Sequence, residues 1–279
     1  MQTTIQYISE ELANYYPDSE IRGFVRLIME SVCGLSYTEM ILQKDRVPTA
    51  DKKKELDEII KRLKTYEPIQ YILGETEFFD LKLKVNPNVL IPRPETEELV
   101  NWILESEIAQ QSKILDIGTG SGCIALALKA NLPESDVWGV DISEKALETA
   151  SNNAKLNKLE VNFRKADILH FDVSNWAELD VVVSNPPYVR LSEKQLMQKN
   201  VLDFEPVGAL FVPDDDPLLF YRAIAEFSMN SLRKNGFLFL EINEYLGAET
   251  VDLLEETGFR NVEIRMDLFG KNRMIRCQK

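Results

Sequence analysis

Residues 181 to 190 read VVVSNPPYVR, three β-branched apolar residues and then Ser184, Asn185, two prolines and Tyr188. Valines in succession suit a central strand covered on both faces. Pro186 and Pro187 lack backbone N–H groups and fix φ, so the chain leaves the sheet there with carbonyls that no ladder pairs. The product is a corner rich in hydrogen-bond acceptors. Taken alone, a strand-terminating turn would read the same way.

Three other short stretches have the same character. LDIGTGSGCIALAL places Asp116, Gly118, Thr119, Gly120, Ser121 and Gly122 on a turn that opens a helix. Glycines there let a ligand approach the backbone, and the helix start offers free N–H groups. Cys123 stands where the dinucleotide fingerprint wants its last glycine, which argues against NAD. In WGVDIS, Asp141 falls at the distance beyond Asp116 expected of a carboxylate that grips ribose hydroxyls. An ordinary cap beside Ser143 is the other reading. KADIL then pairs a polar Asp167 with an apolar Ile168, a combination suited to an adenine ring.

These stretches need elements that bring them together. From residue 112 onward the strand-like runs KILDIG, DVWGVDI, VNFRKADI, LDVVVSN and GFLFLEI alternate with amphipathic helical patterns around residues 121–130, 143–156, 217–233 and 245–257. That alternation predicts α/β architecture, with right-handed βαβ units in a doubly wound, mostly parallel sheet. NVEIRMD and RMIRCQ, separated by LFGKN, predict an antiparallel hairpin at the sheet edge. In such sheets ligands sit outside the carboxyl ends of strands, so four consecutive strand ends point at one crevice.

Residues 1–74 predict a small helical bundle. Ile5, Ile8, Leu12 and Tyr15/Tyr16 recur at helical spacing, as do Ile21, Val25, Ile28 and Met29, then Tyr37, Met40 and Ile41, with breaks at Pro17, Gly34 and Pro48. Residues 75–91 switch to period two: Leu81, Leu83 and Val85 alternate with Lys82 and Lys84, and Asn86-Pro87-Asn88 supplies a turn. The expectation is a hairpin linker over 75–91 and a catalytic domain over 92–279. The latter starts with IPRPETEELVNWIL, whose Pro94 suits a first helical turn and whose Glu95, Glu97 and Glu98 suit its positive end.

The formal net charge is −14, repulsive toward phosphate backbones, so bare DNA or RNA is disfavoured as a substrate. The basic run DKKKELDEIIKRLK reads as a solvated helix face, because Leu56, Ile59, Ile60 and Leu63 repeat at helical spacing. No stretch approaches a membrane span, and MQTTIQYISEEL has neither the basic nor the apolar region of a signal peptide, so a cytoplasmic protein is expected. Cys33, Cys123 and Cys277 form no CxxC pair and read as packing residues. The single histidine, His170, falls in a loop and leaves no room for a Ser-His-Asp triad or a histidine-rich metal site, so no metal is expected.

With four strand ends converging, the sequence resembles the class I S-adenosylmethionine-dependent methyltransferases, and more narrowly the release-factor glutamine N5-methyltransferase family (PrmC/HemK). The matching stretches are PIQYILGETEFF, VLIPRPETEELV, ILDIGTGSGCIALAL, VDIS, SNPPYV, DFEPVGAL and DLFGKNR. The resemblance implies a seven-stranded sheet with an antiparallel C-terminal strand. It implies S-adenosyl-L-methionine as cofactor, its amino-acid tail, ribose and adenine bound by Asp116, Gly118 to Gly122, Asp141, Asp167, Ile168 and Asn185. The implied substrate is the glutamine of the GGQ motif of peptide chain release factors, recruited by the N-terminal helices to a monomeric enzyme. Asn185, Pro186, Pro187 and Tyr188 would be catalytic and, with Arg93 and Glu95, would hold the substrate. Glu205 and Pro206 would wall the pocket, although a packed loop accounts for them equally well. A well-made helix start accounts for Arg93, Glu95 and Glu97 equally well. FVPDDDPLLFY stands where a glycine-rich turn is expected, a departure that bears on a bordering loop.

An amide nitrogen is a poor nucleophile because its lone pair is delocalised into the carbonyl. Two acceptors fixing both N–H bonds would aim its out-of-plane lobe at the sulfonium methyl, and the resemblance assigns these to the Asn185 side-chain oxygen and the Pro186 carbonyl, with Tyr188 against the amide plane. Positioning of this kind lowers a barrier by about 7–11 kcal/mol, so no strong base is required. Two other readings compete. An exocyclic-amine methyltransferase acting on nucleic acid is disfavoured by acidic charge and the lack of a basic, aromatic-rich target domain. A non-catalytic binder of a translation partner is disfavoured by the intact Asn185-to-Tyr188 segment.

Overall fold

The computed structural model describes residues 2–35, 39, 49–171, 176 and 178–279. The Tyr37, Met40 and Ile41 periodicity and the Pro48 break lie outside the described residues. Two compact units emerge, Met1–Gly74 with Gln198–Phe204, and Glu75–Met197 with Glu205–Lys279.

In the first unit, helices Gln2–Leu12, Asp18–Cys33, Ala50–Leu63 and Ile69–Leu73 bury Ile8, Leu12, Ile28, Met29, Leu56 and Leu63 against one another. Gly34 ends the second helix at φ 64°, a left-handed cap that suits glycine. The Thr49 hydroxyl accepts from the Lys52 N–H to start the third. Within that helix Leu56, Ile59, Ile60 and Leu63 are buried while Lys53, Lys54 and Lys61 are exposed, as expected for a solvated basic face.

The second unit opens with an antiparallel hairpin, β1 (Glu75–Phe78) and β2 (Leu81–Lys84). Its turn is not the expected Asn86-Pro87-Asn88. Phe79 and Asp80 turn the chain at φ 48° and 62°, the positive values that let a two-residue loop follow the strand twist. Asn86 instead closes a local turn, its side-chain oxygen accepting from the Asn88 N–H at 2.9 Å. Nor is the hairpin a bare connection: Phe78 and Leu83 are buried in the core of this unit. The Asn153 side chain accepts from the Lys84 N–H at 2.6 Å and donates to its carbonyl at 3.0 Å, in place of a third strand.

After the helix Pro94–Glu105 come β3 (Lys113–Ile117), β4 (Asp136–Asp141), β5 (Asn162–Lys165) and β6 (Leu179–Ser184). A short parallel pair follows, β7 (Val189–Arg190) with β8 (Phe211–Val212), and then β9 (Leu232–Glu241), β10 (Arg260–Met266) and β11 (Asn272–Gln278). The main sheet has seven strands in the order β10-β11-β9-β6-β3-β4-β5. β11 runs antiparallel to β9 and β10, and the other neighbours are parallel. Fold class, mostly parallel order and the edge hairpin are therefore as expected. Val181, Val182 and Val183 are fully buried, the triple-valine strand of the sequence. From β3 the chain winds outward to β4 and β5 and then returns to β6 on the other side, so strand order reverses between β3 and β6. Ligand crevices form at such reversals.

The acidic FVPDDDPLLFY stretch supplies β8 and a turn fixed by its own carboxylates. Asp214 accepts from the Ser192 N–H and hydroxyl at 3.0 and 2.7 Å, and Asp216 pairs with Arg222. No helix among the described residues is long and apolar enough to cross a membrane.

Candidate active site

At the carboxyl end of β3 the backbone turns through Gly118, Gly120 and Gly122 at φ 74°, 54° and 83°, values that L side chains rarely adopt. Gly118 and Thr119 donate their N–H groups to the Val140 carbonyl at 2.8 and 2.9 Å, which seats the turn against β4. A side chain at Gly122 would meet the Ala150 Cβ at 3.1 Å, so this glycine serves helix packing. The β4 residue Gly139 is tighter still, because a Cβ there would stand 2.7 Å from the Thr119 hydroxyl.

Asp116 is buried beneath the turn. Its Oδ2 accepts from the Thr119 hydroxyl at 2.6 Å, and its Oδ1 has no partner. Burial pushes its carboxyl up to about 7, against the opposing hydrogen bond from Thr119. An orphaned buried carboxylate oxygen of this kind calls for a donor or a cation. Asp141 ends β4 with Oδ2 accepting from the Gly120 N–H at 2.9 Å and Oδ1 from the Ser143 N–H at 2.8 Å. Burial raises its carboxyl and those backbone donors oppose the shift. Asp141 thus closes a local turn and is bonded to the glycine turn.

Asp167 is engaged by its own turn, accepting from the Leu169 N–H at 3.0 Å and lying 2.9 Å from the His170 Nδ1. The hydrogen bond to His170 holds its carboxyl below the usual range. His170 is itself exposed, and Ile168 packs partly against the core under the sheet.

Asn185 follows β6 directly, and its carbonyl lies 4.0 Å from where a Gly118 Cβ would be, so the glycine turn and the NPPY corner are neighbours. The Asn185 Nδ2 donates to the Thr96 hydroxyl at 3.1 Å, and Thr96 donates to Glu241 Oε2 at 2.6 Å. Tyr188 donates its hydroxyl to Glu241 Oε1 at 2.9 Å, and the Tyr188 carbonyl accepts from Asn243 Nδ2 at 3.0 Å. Among the described residues no donor reaches the Asn185 Oδ1 or the Pro186 carbonyl. Burial raises the Glu241 carboxyl, opposed by Thr96, Tyr188 and the Arg273 charge. Arg273 is in turn held by Asp267 at 3.1 Å, both residues coming from DLFGKNR.

The RPETE stretch divides in two. Arg93 pairs with Glu205 at 2.6 Å, and Glu205 also accepts from the Ile91 N–H at 3.3 Å with its side chain 1% exposed. The IPR stretch and the expected wall segment FEP are therefore clasped together. Glu97 accepts from the Phe79 N–H at 2.7 Å and so anchors the hairpin turn. Glu95 is half-buried, and its charge helps to raise Glu241. Thr96, Gly139, Asn153, Glu241 and Asn243 are the residues that sequence reading passed over. Glu241 had a visible signal, a carboxylate ending the strand GFLFLEI, as Asp116 and Asp141 end theirs. Among the described residues no cluster of three or more His, Cys, Asp or Glu could hold a metal ion. Burial pushes the Cys123 thiol up to about 12, consistent with a packing residue.

Residues 96–205 match the family model described as the methyltransferase small domain, and residues 3–74 match that of the PrmC N-terminal domain. A release factor glutamine methyltransferase of Flavobacterium psychrophilum is 47% identical over 271 residues, 96% of this chain and 95% of the relative. One from Bacteroides thetaiotaomicron is 43% identical over 279 residues, covering 100% of both chains. Among solved structures, a methyltransferase from Pyrococcus furiosus aligns with a TM-score of 0.54 at 16% identity, covering 83% of this chain and 99% of that one. The hMettl16 catalytic domain, solved with an RNA hairpin, aligns at 0.57 and 15% identity over 84% and 85% of the two chains. These structural likenesses speak to the fold.

Proposed function

Since the chain belongs to the release factor glutamine methyltransferase family, we infer that it transfers a methyl group from S-adenosylmethionine to the side-chain amide nitrogen of a release-factor glutamine, the one in the GGQ motif. The observation that carries this reading to the residues is the pair of acceptors at Asn185 Oδ1 and Pro186 O, unclaimed by any described donor, on a corner whose Asn185 backbone carbonyl neighbours the glycine turn.

The residues at the crevice suit the cofactor. The orphaned Asp116 Oδ1 calls for a cationic or donating group, Gly118 and Gly120 leave their backbone open to close approach, and Asp141 offers a carboxylate for hydroxyls. Asp116 and the glycine turn, with Thr119 and Ser121, would hold the amino-acid tail; Asp141 would hold the ribose; Asp167 and Ile168 would hold the adenine. S-adenosylmethionine would supply an electrophilic methyl on a positively charged sulfur. Asn185 and Pro186 would each accept one N–H of the glutamine amide, turning the nitrogen's out-of-plane lobe toward that methyl. The nitrogen gains the methyl and loses one of its two protons to solvent, so no base needs to be placed. Pro187 stiffens the corner, and Tyr188, pinned by Glu241, would pack on the amide plane. The Arg93–Glu205 clasp would border the entrance beside Glu95. The N-terminal helical unit would recruit the release factor, in the cytoplasm and as a monomer.

The test incubates the protein with labelled S-adenosylmethionine and, separately, a release factor, its tip Gln-to-Ala variant and duplex DNA, and locates label by mass spectrometry. Label on the tip glutamine, lost in the variant and with Asn185→Ala, is expected. Label on DNA, or none on the release factor, would overturn the reading.

A further inference from the structure

Resting on the reading of Asn185 as the residue that orients the reacting amide, we propose that Glu241, acting through Thr96, is a positioning residue that holds the Asn185 side chain with its oxygen toward the substrate. The oxygen and nitrogen ends of a primary amide have nearly the same size, so shape alone does not choose between them. Hydrogen-bond direction does. An ionised carboxylate only accepts, and Glu241 takes the Thr96 hydroxyl at Oε2 and the Tyr188 hydroxyl at Oε1, at 2.6 and 2.9 Å. Thr96 has one proton, and it is spent on Glu241. Toward Asn185, 3.1 Å away, Thr96 can therefore only accept, so the Nδ2 end must face it and Oδ1 must face away. With the amide flipped, an N–H would oppose the substrate's own N–H and one of the two acceptors would be gone.

Of the other influences on Glu241, burial and the Glu95 charge work against the ionised carboxylate, while the Thr96 and Tyr188 hydrogen bonds and the positive charge of Arg273, fixed at 3.1 Å by Asp267, favour it. Thr96 and Glu241 are both buried, so no water competes for the chain of donors. One carboxylate at the end of β9 thus sets the direction of the Asn185 amide and the placement of Tyr188.

The experiment measures kcat and the cofactor KM for Thr96→Val, Thr96→Ser, Glu241→Gln and Asn185→Ala with the release factor as acceptor. Valine keeps the shape of threonine and removes the acceptor. Misdirection by a fraction of a bond length or a flipped amide should lower kcat by about 10- to 100-fold with the cofactor KM near the wild-type value. Serine should restore kcat. Glu241→Gln, which keeps the side-chain shape with only one acceptor oxygen, should lower kcat in the same way. If Asn185→Ala abolishes transfer while Thr96→Val and Glu241→Gln keep wild-type kcat, the positioning role is refuted and the assignment of Asn185 stands. If Asn185→Ala itself keeps wild-type kcat, the underlying reading has failed instead.

Discussion

Gly139→Ala isolates a steric requirement that links the sheet to the glycine turn after β3. The glycine is a strand residue without a positive φ, so alanine meets no backbone penalty and its cost is contact alone. A Cβ would stand 2.7 Å from the Thr119 Oγ1 and 2.8 and 2.9 Å from Phe163 ring carbons, where ordinary contact begins at 3.4 Å. Phe163 is half-buried on the last strand of the sheet and can give way. Thr119 cannot move without stretching its 2.6 Å hydrogen bond to Asp116, whose other oxygen already has no partner. Overpacking costs about 1–3 kcal/mol, and loss of a buried hydrogen bond to a carboxylate adds about 1–3 kcal/mol. We expect the variant to be destabilised by about 3 kcal/mol, a drop of about 6–12 °C in melting temperature. The assay is urea and thermal unfolding followed by tryptophan fluorescence, which reports the second unit alone because Trp102, Trp138 and Trp176 all lie there. Adding Thr119→Ala removes the clashing atom, so the double variant should be more stable than the sum of the two single losses predicts. A Gly139→Ala protein within about 0.5 kcal/mol of wild type, with additive effects in the double variant, would refute the reasoning.

Two further perturbations probe the carboxylates. Because burial raises the Asp116 carboxyl to about 7 in the folded chain, against about 3.9 unfolded, its folded form holds a proton that the unfolded form has lost, and wild-type stability should fall as pH rises through that window. Asp116→Asn lacks this loss, so the variant-minus-wild-type stability should grow between about pH 4 and 7 and then level off; a difference flat with pH rules out the shift. Glu205→Gln removes the charge opposite Arg93 at a side chain 1% exposed, and urea unfolding should register a loss of about 1–3 kcal/mol after allowing for the partly solvated arginine. A wild-type midpoint would mean that the clasp contributes nothing.

By itself the sequence determined the layout of this protein. Triple-valine Val181–Val183, the period-two runs and the alternating amphipathic helices state their burial through residue type and spacing, because local periodicity must match the face each element hides. The four chemistry-bearing strand ends were legible for the same reason: glycine, proline and strand-terminal carboxylates impose local geometry that neighbours in sequence cannot supply. Tertiary structure decided everything that depends on partners far apart in the chain. Whether the hairpin turned at Phe79-Asp80 or at Asn86-Pro87-Asn88 depended on Phe78 and Leu83 reaching the core and on Asn153 pairing with Lys84. Arg93 gained its meaning only from Glu205, and Asn185 its orientation only from Thr96 and Glu241. A hydrogen bond has a direction and a reach of about 3 Å, and no pattern along the chain records which distant donor will arrive within it.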